Sequence, residues 1–320
     1  MQPVRISFSG PERPGGKLEF SLEENPVLCI CGKRASGKTT ALRMLKLAFA
    51  ILSAKDLNSL PDARFFVMLA EEAPVRAEAQ YWLEGELYTA WLYRLVTEIR
   101  AGRASGPLGG PVLQISREEL YRKSADGEKT SWKKIRDRKE AGPFLASDIS
   151  IITAQVREGK ANPVLFSCTS DSENAVLDTA AAGKAACFLD DSIEYLYWKS
   201  LDGIKQGKWH LKFRNRKKEY TAYNFDDLSL YLSSSTLKGI RLFMLAEPVW
   251  KQGGFLLADD LEDGLDSDTV KDFICLFKNP EVNTAGGRLI WTARDFSVLD
   301  GLAKEMPAVC LDAEKQEIKS

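Results

Sequence analysis

The chain has 320 residues, 44% of them apolar, which suffices for one large or two modest hydrophobic cores and excludes a disordered chain. Its 44 Lys and Arg nearly balance 45 Asp and Glu, so no global field points to nucleic acid or a membrane surface, and any basic site must be local. The start MQPVRISFSG has no apolar leader and no stretch approaches the roughly 18 apolar residues of a membrane span, so a cytoplasmic protein without membrane association is expected.

In chain order, residues 4–8 (VRISF) and 18–22 (LEFSL) predict two short strands around the turn-forming GPERPGG. Residues 27–31 (VLCIC) are a continuous apolar run suited to a central parallel strand, and the spacing in TTALRMLKLAFAIL (39–52) predicts a buried helix. Residues 64–70 (RFFVMLA) and 81–95 carry aromatic and β-branched residues with partial alternation, which places them in a β-rich lobe over 61–140. Within that lobe AGRASGPLGGP (101–111) marks a loop, and residues 114–139 predict a hairpin turning at Asp126 and Gly127. Ala and other helix formers over 144–200 predict a helical insertion, so 141–229 becomes that insertion plus a basic strand whose apolar residues alternate from Trp209 to Phe213. A Ser-rich junction at 233–235 precedes a helix, and residues 255–258, 288–292 and 308–311 read as closing strands. The expected class is α/β, with a nucleotide-binding core split between 1–60 and 230–320.

Residues 32–39 read GKRASGKT, the GxxxxGK[ST] pattern between an apolar strand and a helix. Small residues let backbone N–H groups surround phosphates, and the helix N-terminus adds its positive end. Gly32, Lys33, Arg34, Ala35, Ser36, Gly37, Lys38, Thr39 and Thr40 therefore form the candidate ATP cradle, with Lys38 on the β and γ phosphates and the Thr39 hydroxyl on Mg²⁺. The pattern needs an acidic partner on another core strand. FLLADD (255–260) supplies Asp259 for Mg²⁺ and Asp260 near the attacking water. One histidine, His210, excludes multi-histidine zinc sites, and the six cysteines lack CxxC spacing, so reduced core thiols are expected.

The run LADDLEDGLD (257–266) resembles the extended Walker B and D-loop of ABC-type ATPases. LSSSTLKGIRLF (232–243) looks like their signature segment at a helix N-terminus, and LIWTARD (289–295) resembles their switch strand. With the phosphate loop, these segments follow the ABC order. The flavour is that of stand-alone ABC ATPases of the overcoming-lysogenization-defect and related AAA-type group, linked to bacterial anti-phage defence. The resemblance implies an ATPase using ATP and Mg²⁺ and a head-to-tail homodimer or higher oligomer. In it Ser233, Ser234 and Ser235 of one copy meet the ATP of the other. It also implies a separate effector, a nuclease or toxin, under its control.

Three departures fall on hydrolysis. Asp260 replaces the usual Glu, Ser235 replaces the signature glycine, and Arg294 stands at the switch histidine, where it is either a fixed positive charge on the γ-phosphate or a surface residue after a strand. Slow turnover is expected. A non-hydrolysing, nucleotide-bound scaffold and a nucleic-acid-dependent ATPase of DNA-repair type stay open beside the leading reading. The run KQGKWHLKFRNRKK, from Lys205 to Lys218, holds seven Lys or Arg, no acid, and Trp209, His210 and Phe213. It is the candidate nucleic-acid surface, or else a two-sided strand with its aromatic residues in the core.

Overall fold

The computed structural model describes residues 2–10, 18–22, 25–84, 90–104, 109–124, 131–140, 145–157, 162–169, 179–200, 207–294, 308–311 and 318–319. The chain is mixed α/β, with antiparallel and parallel sheets. Contacts divide it into two compact units, one of residues 1–25 and 39–165, the other of residues 26–38 and 166–320.

The first unit carries an antiparallel sheet in the order β2-β1-β4-β5-β6-β7. Its strands are β1 (Gln2–Ser9), β2 (Leu18–Ser21), β4 (Val75–Glu84), β5 (Ala90–Arg103), β6 (Pro111–Ser124) and β7 (Lys133–Asp137). The β6–β7 pairing matches the expected hairpin, while its turn at Asp126 and Gly127 lies outside the described residues. Helix α1 (Lys38–Leu52) follows the phosphate-loop motif. Lys46 is buried on it and answered by Asp62 at 2.6 Å. Helix α2 (Ala63–Glu72) corrects the reading of residues 64–70. Two adjacent phenylalanines mimic strand composition, yet the buried set Phe66, Val67, Leu69 and Ala70 is a helical stripe, and it lies on β5 and β6.

The second unit is built on a sheet in the order β15-β14-β3-β13-β12-β8. Its strands are β3 (Val27–Cys31), β8 (Phe166–Cys168), β12 (Phe255–Ala258), β13 (Arg288–Ala293), β14 (Ala308–Cys310) and β15 (Ile318–Lys319). β8, β12, β13, β3 and β14 run parallel, and only β15 pairs antiparallel, on β14. Every residue of β3 and β12 is buried, as a covered parallel strand requires. Helices α4 (Thr179–Leu189), α5 (Ser234–Gln252) and α6 (Ser267–Lys278) complete the core, in which Phe243, Trp250, Phe273 and Phe277 interlock edge to face. A meander of β9 (Ile193–Ser200), β10 (Gly207–Phe213) and β11 (Glu219–Ala222) forms a separate sheet in this unit.

The stretch 144–200 thus holds less helix than its composition suggests. It contains α3 (Thr153–Arg157) and α4, but also β8 and β9. Three-residue β8 is too short to show periodicity, and IEYLYWKS of β9 gives its core face mainly through Ile193 and Leu196. No helix among the described residues is long and apolar enough to cross a membrane.

Candidate functional site

β3 ends at Cys31, in register with Ala293 of β13, and Ala258, the last residue of β12, pairs with Trp291 of β13. The loop after β3, the acidic turn after β12 and the end of β13 therefore emerge from the carboxyl edges of adjacent parallel strands. That edge is where open α/β sheets bind ligands. One intervening strand separates β3 from β12, a spacing of about 10 Å.

The loop's shape follows from its small residues. Gly32 takes φ 157°, a backbone that side chains rarely adopt, and a Cβ there would crowd Ser36, 2.5 Å from its Oγ and 3.2 Å from its Cβ. Gly37 (φ 89°) and Ala35 (φ 63°) both take left-handed backbone. Ser36 N–H donates to Lys33 O at 3.1 Å, closing the turn. Lys33, Arg34 and Ala35 are exposed, whereas Lys38 is buried, and its ammonium donates back to Gly32 O (2.8 Å) and Lys33 O (3.1 Å). Ser36 Oγ is buried without a hydrogen-bond partner. A curled loop holding a buried cation and an orphan hydroxyl fits a phosphate group. Thr39 and Thr40 follow as the first turn of α1.

At the end of β12 the key residue is one that motif reading passed over. Thr292 is fully buried, and its hydroxyl donates to Asp259 Oδ1 (2.7 Å) while accepting from Asp260 N–H (2.7 Å). Asp259 N–H donates to Thr169 Oγ1 at 3.1 Å. Asp260 takes left-handed backbone (φ 44°), and Lys238 from α5 donates to the carbonyls of Asp260, at 3.2 Å, and of Asp263. The acidic turn is thereby pinned from a neighbouring strand and from a helix. A threonine hydroxyl at the end of the otherwise apolar LIWTA was the available signal.

Arg294 lies beyond β13. Its guanidinium sits 3.4 Å from Asp260 Oδ2 and 3.5 Å from Asp263 Oδ1, and the Arg294 backbone N–H donates to Glu262 Oε1 at 2.6 Å. Asp260 first, then Asp263 and Glu262, push its pKa above the ordinary value. The Arg294 side chain, 59% exposed, is thus paired with the carboxylates of the acidic turn.

Ser233 caps α5, its Oγ accepting from Thr236 N–H at 3.1 Å and lying 2.8 Å from both Ser235 Oγ and Thr236 Oγ1. Ser233 and Ser234 are exposed and Ser235 half-buried. A cavity of about 410 Å³ opens beside Asp259, lined by Thr169, Ser234, Leu237 and Lys238 among others. Among the described residues no group of three or more His, Cys, Asp or Glu could hold a metal ion. Mg²⁺ at Asp259 would draw most of its shell from phosphate, hydroxyl and water oxygens, as Mg²⁺ commonly does.

No family model matches the chain, and no curated protein does. Among solved structures it is similar to an SMC head domain from Thermotoga maritima, at 11% identity and a TM-score of 0.47, over 97% of this chain and 94% of that one.

The basic run resolves into two faces from residue 207 onward; Lys205 lies outside the described residues. Trp209 and Leu211 are buried, as a two-sided strand requires, while Lys208, His210 and Lys212 point the other way. Cys29 and Cys31 are buried thiols of β3.

Proposed function

We propose that this chain is an ABC-type ATPase of slow turnover that dimerises around ATP and controls a separate effector. The observation that carries the nucleotide reading is the Thr292 bridge. It fixes Asp259 and Asp260 at the carboxyl edge of the same parallel sheet whose β3 launches the glycine-rich loop. Residues 32–38 wrap the phosphates, and Lys38 turns from the carbonyls of Gly32 and Lys33 to the β and γ oxygens. Thr39, next in the chain, and Asp259 are the ligands expected for Mg²⁺, which when bound neutralises charge on the phosphates.

Asp260 orients the attacking water. It is one methylene shorter than glutamate and engaged by Arg294, and a displacement of about 1 Å in a catalytic group costs on the order of 100-fold. The expected rate lies below about 10 per second, the enzyme median.

The hydroxyls of Ser233, Ser234 and Ser235, presented at the start of α5, would meet the γ-phosphate held by a second copy. ATP then stabilises the dimer and hydrolysis releases it. No nucleophile motif occurs in the chain, so the output is assigned to an effector, a nuclease or toxin, in an anti-phage setting. ATP-agarose retention and phosphate release test the first step. Lys38→Ala should lose retention, and Asp260→Ala should keep retention while losing release. Equal retention by wild type and Lys38→Ala would end the nucleotide reading, and normal release by Asp260→Ala would favour another base. Retention without release in the wild type would select the non-hydrolysing scaffold.

A further inference from the structure

The meander β9-β10-β11 has one face in the core and an opposite face whose side chains are half-buried to exposed. The inner face is set by cross-strand pairs Trp209–Trp198 and Leu211–Leu196, continued by Ala222 and Tyr220. Alternation sends the opposite set outward, where His210 pairs with Tyr197, Lys208 with Lys199, and Lys212 with Tyr195. The outward rings are ordered against one another. Tyr197 and His210 stack with centroids 4.9 Å apart and planes 5° from parallel, Tyr195 lies 5.6 Å from Tyr197, and Lys208 sits 4.6 Å from the centre of Tyr223. Tyr197 is 42% exposed and Tyr223 69%, unusual for rings that could have been buried.

The charges are unevenly answered. Lys212 pairs with Glu194 and His210 with Glu219. Among the described residues Lys199 and Lys208, paired across β9 and β10, have no carboxylate within ion-pair reach, whereas Arg216 and Lys218 lie over Tyr220 of the inner set. A face bearing exposed rings and unanswered cations suits a ligand that offers both aromatic planes and repeated negative charge.

We propose that this face binds single-stranded nucleic acid, with bases stacking on Tyr197 and Tyr223 and phosphates meeting Lys199 and Lys208. A duplex keeps its base planes stacked inside and offers the rings nothing, and an acidic peptide offers charge without planes. The surface differs from the linear basic run: Tyr195, Tyr197 and Lys199 join it through pairing and Tyr223 through its contact with Lys208, and Trp209 and Leu211 leave it.

The test is fluorescence anisotropy with the full chain, using labelled oligothymidylate and oligouridylate of about 16 nucleotides, with a duplex of equal length and polyglutamate as competitors. Two strands of chemistry, DNA and RNA, are separated by the two probes. Wild type should bind at least one single strand in preference to duplex and polyglutamate. Tyr197→Ala with Tyr223→Ala should weaken binding on the order of a hundredfold, while Tyr197→Phe with Tyr223→Phe should bind like wild type. Replacing Lys199 and Lys208 by Ala should lower the slope of log affinity against log salt by about 1.4. Absence of single-strand binding by wild type at low salt, equal binding of duplex or polyglutamate, or an unchanged Tyr-to-Ala pair with normal melting would each overturn the assignment. Lys38→Ala, assayed beside these, keeps the outcome separate from nucleotide binding: it should leave oligonucleotide binding intact even where ATP retention is lost.

Discussion

Thr292 spends both halves of one hydroxyl on the acidic turn, donating to Asp259 and accepting from the Asp260 backbone. Valine has the same shape without either bond and leaves the Asp260 N–H and the Asp259 carboxylate short of a partner. Thr292→Val should therefore slow turnover on the order of 10- to 100-fold in a phosphate-release assay, with ATP retention kept and Thr292→Ser restoring much of the rate. A similar restraint acts in the first unit. Glu118 is buried, accepting from Ser150 Oγ (2.5 Å) and Ile151 N–H (2.7 Å), with Arg138 at 3.5 Å. Burial raises its carboxyl pKa above 4.5, outweighing the bonds to Ser150 and Ile151 and the charge of Arg138. An acid held above its unfolded value binds its proton more tightly when folded, so the stability it lends is greatest below pH 4.5 and falls as pH rises through the folded value. Urea unfolding across that range should show the decline in wild type and a flatter profile in Glu118→Gln.

At the scale of elements, helix starts position much of the acidic edge. Asp266 caps α6, its carboxylate accepting from Asp268 N–H (3.1 Å), Thr269 N–H (2.9 Å) and Thr269 Oγ1 (2.6 Å). Those bonds, Thr269 foremost, lower its pKa below 3.8. The sign is opposite to that of Glu118: the cap's contribution is present above pH 3.8 and is lost as pH falls through the lower, folded value. Asp266→Ala should lower the unfolding free energy measured in urea at neutral pH by about 1 kcal/mol, and Asp266→Asn should recover most of it. Helix α5 carries Lys238 to the Asp260 turn from the opposite side, so its cap at Ser233 and its contact with the acidic turn are set by one rigid rod.

The whole molecule bears out some of what its sequence shows and explains why other parts stay hidden. The strand–loop–helix at residues 27–52 and the closing strands β12, β13 and β14 were legible, because continuous apolar runs and a glycine pattern are local signals. Helix α2 was not, since Phe65 and Phe66 carry strand-like composition that only packing overrides. β8 escaped because three residues carry no period, and the outer face of the meander because it is assembled by cross-strand pairing rather than by neighbours in sequence. Thr292 was read past because its partners, Asp259 and Asp260, lie far away in sequence, in the turn after β12. In solution, Asp260→Ala with ATP should run as a dimer in light scattering, and wild type with ADP as a monomer; a monomeric Asp260→Ala at saturating ATP would count against assembly around the nucleotide.

The order of the parallel sheet also bears on how the chain is made. β3 emerges early in synthesis, wholly apolar, yet Val27 pairs with Leu289 and Cys29 with Ala308. Its two flanking partners leave the ribosome only after residues 32–287 have been made. Until then VLCIC is an unpaired strand of the kind that seeds aggregation, and loop closure over such a span is slow. A chain truncated before β13 should therefore collect in the insoluble fraction or with holding chaperones, even though the antiparallel sheet of the first unit is already complete.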